Sequence, residues 1–234
     1  MIISFNLSVI HDRVAHAAKR TGRNASEIAL MAVTKTFPAD LIIEAYHAGQ
    51  RLFGENRVQE FAEKVGGLAQ LQDAEFHMIG HLQSNKAAKA AEIFHAIDSL
   101  DSAKLAQRLD AAAEKLGKIL DVLIEINLGG EEAKSGIAPD SLELEAILSG
   151  ASSWRNLRIR GLMTVPPFTE DPEGARSYFR QLRELRDRLA ARSLPSVSLD
   201  ILSMGMSHDF EVAIEEGSTC VRLGTAIFGT RAKP

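Results

Sequence analysis

Short apolar runs alternate with longer amphipathic segments along the whole chain. Apolar runs bounded by glycine or polar residues are typical of buried strands, whereas apolar positions spaced three and four residues apart predict helices. The predicted strands cover residues 28–34, 51–54, 76–80, 96–100, 120–127, 159–165, 199–204 and 220–226. The predicted helices cover residues 7–21, 39–48, 58–71, 84–94, 102–116, 139–149, 173–192 and 208–216.

Strands that alternate with helices in this way predict an α/β fold with a parallel sheet. A closed (β/α)8 barrel and an open doubly wound sheet both satisfy the order. The strand number favours the barrel, as do two glycine-rich junctions after the last two strands, where such barrels build a phosphate site. We therefore expect a single TIM-barrel domain over residues 1–234, with an extra N-terminal helix before the first strand.

Composition narrows the function classes. The 234 residues are 45% apolar and carry a net charge of −4. Without a basic run the chain has no electrostatic footprint for nucleic acid, and no apolar stretch approaches the roughly 20 residues of a membrane helix. The N-terminus lacks the basic start of a secretory signal, so we expect a cytoplasmic protein. We also expect a monomer. Cys220, the single cysteine, is expected to fill core.

Lys35 closes the first predicted strand, directly before Thr36 and Pro38. Neighbouring groups at the carboxyl end of a buried strand can lower the pKa of a lysine, which can then form a Schiff base with an aldehyde. The alternative is an ordinary strand-end lysine that reaches solvent. The C-terminal part of the sequence favours the first interpretation.

Two junctions in that part combine glycine with hydroxyl residues. Ser203, Gly205 and Ser207 stand in the first junction, and Gly224 and Thr225 in the second. Glycine lets backbone N–H groups approach an anion closely, and hydroxyl groups add further donors. A phosphate site beside a Schiff-base lysine suggests pyridoxal 5'-phosphate, which carries an aldehyde and a phosphate on one ring.

Arg222 is predicted to point into the barrel, because the two-residue period of a strand puts Cys220, Arg222 and Gly224 on one side. A buried guanidinium needs an acceptor. A ring nitrogen of a cofactor held near Lys35 would be one. An internal pair with Glu125 or Asn127, on the fifth predicted strand, is the alternative.

Several segments together resemble the pyridoxal phosphate homeostasis protein family, in the expected order over nearly the whole chain. They are Ala32-Val-Thr-Lys-Thr36, Phe53-Gly-Glu-Asn56, Phe76-His-Met-Ile-Gly-His-Leu-Gln-Ser-Asn-Lys86, Lys134-Ser-Gly-Ile137, Gly161-Leu-Met-Thr-Val165, Ser203-Met-Gly-Met-Ser207 and Val221-Arg-Leu-Gly-Thr-Ala-Ile-Phe-Gly229. The resemblance implies a barrel like that of alanine racemase, with pyridoxal 5'-phosphate bound as an internal aldimine.

The same resemblance implies roles for the matching residues. Lys35 is implied as the Schiff-base lysine, and Arg222 as the residue that faces the pyridine nitrogen. The remaining implied contacts are Asn56 and Met163 for the ring, and Ser203, Gly205, Gly224 and Thr225 for the phosphate.

Two positions depart from the family pattern. Thr34 stands where serine is commoner; it lies on the opposite strand face from Lys35, so we expect little effect. Arg57 stands where tyrosine is frequent, and it leaves any substrate preference at the rim of the pocket open.

An arginine at the ring nitrogen bears on mechanism, because guanidinium does not give up its proton near neutral pH and the ring becomes a weaker electron sink. A racemase also needs an acid or base on each face of its substrate. The chain ends soon after the eighth strand, so we expect no second domain to supply one. We therefore expect a non-enzymatic protein that buffers or delivers the cofactor, with apo-forms of enzymes that use pyridoxal 5'-phosphate as possible partners.

Two alternatives stay open at this point. One is an amino-acid racemase of the same fold type, and the other is a barrel enzyme that acts on a phosphorylated sugar. His77 and His81 suggest a metal pair, but we expect no metal because no third ligand stands nearby. Lys86 is predicted to support a loop or an entry surface. Lys134 is interpreted as a solvated loop lysine, with transient acceptance of the cofactor as the alternative.

Overall fold

The computed structural model describes residues 2–130 and 135–229. The strands of this part of the chain close into a parallel barrel in sequence order, each paired with its neighbours in the chain and the last paired with the first. They are β1 (Ala29–Val33), β2 (Leu52–Glu55), β3 (Glu75–Met78), β4 (Ala96–Leu100), β5 (Leu120–Glu125), β6 (Leu157–Met163), β7 (Val197–Met206) and β8 (Cys220–Leu223). The predicted (β/α)8 barrel is confirmed.

Helices surround the barrel and connect successive strands. They are α1 (Ile2–Arg20), α2 (Ala39–His47), α3 (Val58–Lys64), α4 (Ala87–Ile93), α5 (Ala103–Lys115), α6 (Leu142–Gly150), α7 (Arg176–Ala190), α8 (Phe210–Glu215) and α9 (Thr225–Phe228). Helix α1 precedes β1, which confirms the extra N-terminal helix. Among the described residues, no helix is long and apolar enough to cross a membrane.

Several predicted boundaries were wrong. The eighth strand ends at Leu223 rather than at residue 226, because Gly224 leaves the extended conformation (ψ −74°) and caps α9. The third predicted helix ends at Lys64, where a short 3-10 turn that contains Gly66 and Gly67 takes over. Glycine weakens helices through its conformational entropy, which accounts for the early end.

The strands separate two buried regions. Side chains such as Phe53, Leu162 and Leu223 point outward and form one large apolar cluster with the helices. Inside the barrel, Met31 and Arg222 lie side by side in the β1–β8 register. The outer cluster supplies most of the stability, since each fully buried large apolar side chain contributes roughly 1.5–3 kcal/mol. The interior can therefore hold polar side chains.

Helix α1 is attached at both ends. Its apolar face is buried mainly against α8 and α9, and the Asn6 side-chain amide donates to the carbonyl of Ile227 in α9 at 2.8 Å. At its other end Arg20 forms ion pairs with Glu215 (2.6 Å) and Glu211 (3.1 Å). These half-exposed pairs contribute little individually. Their consequence is positional, because α1 holds α9 at the carboxyl end of the barrel.

Candidate functional site

Lys35 lies in a turn just after β1, half-buried at the carboxyl end of the barrel. Val33 and Met31, on the preceding strand, face the interior, and Lys35 follows two residues after Val33. The ring of Phe37, two residues later, packs on Phe228 of α9 with 4.8 Å between centroids. The β1–α2 turn is thus held against the segment that follows β8.

Arg222 lies inside the barrel and is only 4% exposed. Its Nη1 donates to Ser203 Oγ at 2.7 Å, and its Nη2 donates to the Thr164 carbonyl at 2.8 Å. Burial lowers the pKa of Arg222, yet guanidinium remains protonated in proteins. Glu125, a partner considered from the sequence, instead accepts a hydrogen bond from Ser135 Oγ at 2.7 Å.

The two glycine–hydroxyl junctions meet at Ser207. Its Oγ accepts hydrogen bonds from the backbone N–H groups of Gly224 and Ala226, each at 3.3 Å. Both distances are long for an N–H···O bond. Two backbone donors that converge weakly on one oxygen form a suitable binding place for an anion. Thr225, between them in sequence, is exposed.

Gly205 and Gly224 differ in what the fold requires of them. Gly205 has a φ of 97°, and a Cβ there would lie 2.5 Å from the Cβ of Ala213 in α8. Gly224 has no positive φ, and its Cβ would meet the carbonyl oxygen and the Cβ of Val33 at 3.4 and 3.6 Å, which are ordinary contacts. The fold itself therefore needs glycine at position 205 but not at position 224.

Asn56 follows β2 and is held by a close backbone approach. A Cβ on Gly80 would lie 2.4 Å from the Asn56 carbonyl oxygen, so only glycine fits at position 80. Among the described residues, the Asn56 Oδ1 atom is buried without a hydrogen-bond partner, and so is the Glu125 Oε2 atom. Both side chains line a cavity of about 590 Å³. Buried acceptors of this kind suit a ligand with hydrogen-bond donors.

Burial raises the pKa of Glu125, although the hydrogen bond from Ser135 opposes that shift. Burial also raises the pKa of Asp101, which lies 3.0 Å from His81 Nδ1 at the same end of the barrel. The carboxyl end of the barrel thus contains carboxyl groups that take up protons more readily than usual. Met163, at the end of β6, is fully buried.

Comparison with known proteins decides the family. A family model described as the alanine racemase N-terminal domain matches residues 6–232. A pyridoxal phosphate homeostasis protein of Aquifex aeolicus is 46% identical over 225 residues, which cover 96% of each chain. Its Escherichia coli K12 counterpart is 42% identical and covers 98% of this chain and 97% of its own. The chain belongs to the pyridoxal phosphate homeostasis protein family.

Comparison with solved structures supports the same family assignment. PipY of Synechococcus elongatus, described with PLP bound, superposes with a TM-score of 0.81 at 41% identity and covers 94% of this chain and all 100% of its own. Alanine racemase of Clostridium difficile superposes with a TM-score of 0.70 at 14% identity. This chain covers 57% of that enzyme. The second likeness shows the fold alone.

The two departures from the family pattern have different environments. Thr34 is buried and donates a hydrogen bond to Glu55 Oε1 at 2.9 Å, so the position does more than the sequence suggested. A serine could donate in the same way. Arg57 is exposed and lines a second cavity, of about 680 Å³, which Asn56 also borders.

The other polar candidates lie apart. His77 Nδ1 is 3.1 Å from Asp98, whereas His81 is bound to Asp101. Across residues 2–130 and 135–229, no group of three or more His, Cys, Asp or Glu side chains is arranged to hold a metal ion. Lys86 donates to Gln59 at 3.2 Å and so links the β3–α4 loop to α3. Lys134 falls outside the described residues.

Sequence reasoning placed Ser207 in a junction predicted to bind an anion but assigned it no contact, and it did not place Glu125 in the site. Ser207 had a usable signal, since it is a hydroxyl residue two positions after a glycine in a junction already suspected of anion binding. Glu125 was considered only as a partner of Arg222. The burial of its Oε2 atom without a hydrogen-bond partner, among the described residues, results from tertiary packing, which strand periodicity does not reveal.

Proposed function

We propose that this chain binds pyridoxal 5'-phosphate and acts in its homeostasis, as a buffer or carrier of the cofactor. The observation that carries the proposal is the meeting of Lys35, the buried Arg222–Ser203 pair and the convergent N–H groups of Gly224 and Ala226 at one end of the barrel. The names of the family's relatives and the PLP-bound PipY structure support it.

The donor set fits the group. When bound, the cofactor supplies an aldehyde and an aromatic ring, and Lys35 supplies the amine that can link to the aldehyde. The main-chain N–H groups of Gly224 and Ala226, near Gly205, would hold the phosphate. The hydroxyl groups of Ser203, Ser207 and Thr225 would add further donors. Arg222 would donate to the ring nitrogen without protonating it. Asn56 and Met163 would line the ring.

We further propose that the chain is not an enzyme. Support comes from Arg222, which cannot give its proton to a ring nitrogen and so leaves the electron sink weak. The racemase alternative rests on a likeness of 14% identity. A sugar-phosphate enzyme would give Lys35 and Arg222 no joint role. The proposal includes one cofactor-binding domain over residues 1–234, a cytoplasmic monomer, and transfer to apo-forms of enzymes that use the same cofactor.

The visible spectrum of the purified protein tests the central proposal. Wild type incubated with pyridoxal 5'-phosphate and then freed of unbound cofactor should keep an absorption band near the visible edge that is absent from Lys35→Ala, because alanine leaves no amine at position 35 to link to the aldehyde. Lys89→Ala is the matched control, since Lys89 forms an exposed ion pair with Glu92 on α4. A colourless wild type, or a Lys35→Ala protein with an unchanged band, would contradict the proposal.

A further inference from the structure

The turn that carries Lys35 is held from the helix side of the barrel by a partly buried ion network of Glu55, Lys64 and Glu60, which we call the turn network. Lys64 Nζ lies 3.1 Å from Glu55 Oε1 and 2.7 Å from Glu60 Oε1. Glu55 ends β2, while Glu60 and Lys64 lie on α3. The side chains of Lys64 and Glu55 are 13% and 0% exposed, so water and salt screen this pair only weakly.

Both chain neighbours of Lys35 are bonded to the turn network. On the N-terminal side, Thr34 Oγ1 donates to Glu55 Oε1 at 2.9 Å, and the Thr34 carbonyl accepts from Lys64 Nζ at 3.3 Å. On the C-terminal side, the Thr36 N–H donates to Glu60 Oε1 at 2.5 Å. The three N–H groups of Lys64 thus have three acceptors, and Lys35 stands between two anchored residues.

The backbone at Thr36 explains why such anchoring is needed. Thr36 has a φ of 66°, in the left-handed region that β-branched residues rarely adopt. A residue in such a conformation persists only where its surroundings hold it, and outliers of this kind cluster at functional sites. Glu60 supplies the hold by accepting the Thr36 N–H. Loss of that contact would let the turn relax and would move Lys35.

We propose that Glu55, Lys64 and Glu60 are positioning residues that hold Lys35 in the geometry for linkage to an aldehyde. The inference rests on the proposed function. In the linkage, the Lys35 amine adds to the aldehyde carbon, a C=N bond forms and the aldehyde oxygen leaves as water, so no oxidant or reductant is required. The turn network acts through Thr34 and Thr36, the two residues that flank Lys35 in the chain.

A matched pair of variants on one helix tests the inference. Glu60→Ala removes the acceptor for the Thr36 N–H, whereas Glu63→Ala removes the same charge from an exposed position on α3. Glu60→Ala should form the visible Lys35 linkage about tenfold more slowly, because the reacting amine is no longer held in place. Glu63→Ala should match wild type.

A ligand without an aldehyde separates positioning from general damage. Pyridoxine 5'-phosphate carries an alcohol in place of the aldehyde and cannot link to Lys35. Its Kd, measured by calorimetry, should stay within about twofold of wild type in Glu60→Ala, since the proposed anion site lies in the segments that follow β7 and β8. If that affinity falls together with the linkage rate, the network supports the whole pocket and the inference is wrong.

A second variant tests the buried Glu55–Lys64 pair of the turn network. Glu55→Gln combined with Lys64→Met removes both charges, so neither is left buried without its partner. It should slow the linkage at least as much as Glu60→Ala. Wild-type rates in both variants would overturn the inference while leaving the proposed function intact. A wild type that forms no linkage would defeat the proposed function and the inference with it.

Discussion

Gly224 lies where the β8 strand ends and the next segment begins, and its N–H is one of the two that converge on Ser207. The fold leaves space for a Cβ there. Packing therefore does not require glycine at this position, and in the proposed function it is the approach of the phosphate to the backbone that favours glycine. The opposite holds for Gly205, whose positive φ and contact with Ala213 are internal to the protein.

We therefore expect opposite behaviour from two alanine substitutions. Gly224→Ala should change the free energy of unfolding by less than about 0.5 kcal/mol but weaken pyridoxal 5'-phosphate binding roughly tenfold. Gly205→Ala should lower the free energy of unfolding by more than about 1–2 kcal/mol, because alanine is strained at that φ and meets α8. Urea unfolding and equilibrium titration measure the two effects.

The ligand without a phosphate is the control for this pair. Unphosphorylated pyridoxal should bind wild type and Gly224→Ala with similar, weak affinity, since it makes no demand on the N–H groups of Gly224 and Ala226. An equal loss of affinity for pyridoxal and for its phosphate ester would show that position 224 does not act through the phosphate.

Individual residues also show the limit of sequence reasoning at the site. Motif order was enough to bring Lys35, Arg222 and Gly224 to one end of the barrel. It was not enough to find that Thr34 is bonded to Glu55, because that contact joins residues on different strands whose side chains meet only after the barrel closes. Periodicity gives the face of a side chain, whereas hydrogen-bond partners depend on packing.

At the scale of elements, β3 and β4 are linked inside the barrel by His77 and Asp98. Burial lowers the pKa of His77, but Asp98 at 3.1 Å and Glu75 at 3.8 Å outweigh it and raise the pKa to about 9. The ring is therefore charged at neutral pH and paired with a buried carboxylate. Such a pair stabilises the folded chain only while the histidine keeps its proton.

This pair predicts a pH dependence of stability. The pKa of His77 is higher in the folded protein than its ordinary value of 6.5. The stabilisation is thus complete below pH 6.5 and is lost as the pH rises through about 9. His77→Asn should flatten this part of the curve in urea unfolding between pH 6 and pH 10. His81→Asn, at a ring that is 57% exposed, should keep the wild-type slope. A wild-type slope in both variants would refute the assignment.

Element boundaries show what periodicity does and does not specify. It located each of the strands β1 to β8, since apolar runs report burial on both faces of a parallel sheet. It failed at the end of β8, where the apolar residues Ala226 and Ile227 continue the pattern but belong to α9. A short apolar segment is compatible with either a strand or a buried helix. The glycine at position 224 is the better indicator of where β8 ends.

At the scale of the whole molecule, the question is whether the cavity at the barrel mouth supports turnover. If Arg222 faces the ring nitrogen as proposed, it disfavours turnover, because a guanidinium cannot protonate the ring. Glu125 favours turnover, because it supplies a possible acid. Its buried carboxyl group has a raised pKa and an oxygen without a partner among the described residues. A carrier and an enzyme differ in whether any such group moves the α-proton of a bound amino acid.

Proton exchange in deuterated water distinguishes the two. For wild type loaded with pyridoxal 5'-phosphate and an amino acid, we expect very slow loss of the α-proton signal by NMR, since the electron sink is weak. Arg222→Glu should exchange faster if it still binds the cofactor, because a carboxyl group can protonate the ring nitrogen. Glu125→Gln should leave the slow wild-type rate unchanged, which would show that Glu125 is not a catalytic base. Rapid exchange with racemisation by wild type, abolished in Glu125→Gln, would replace the carrier by a racemase whose base is Glu125.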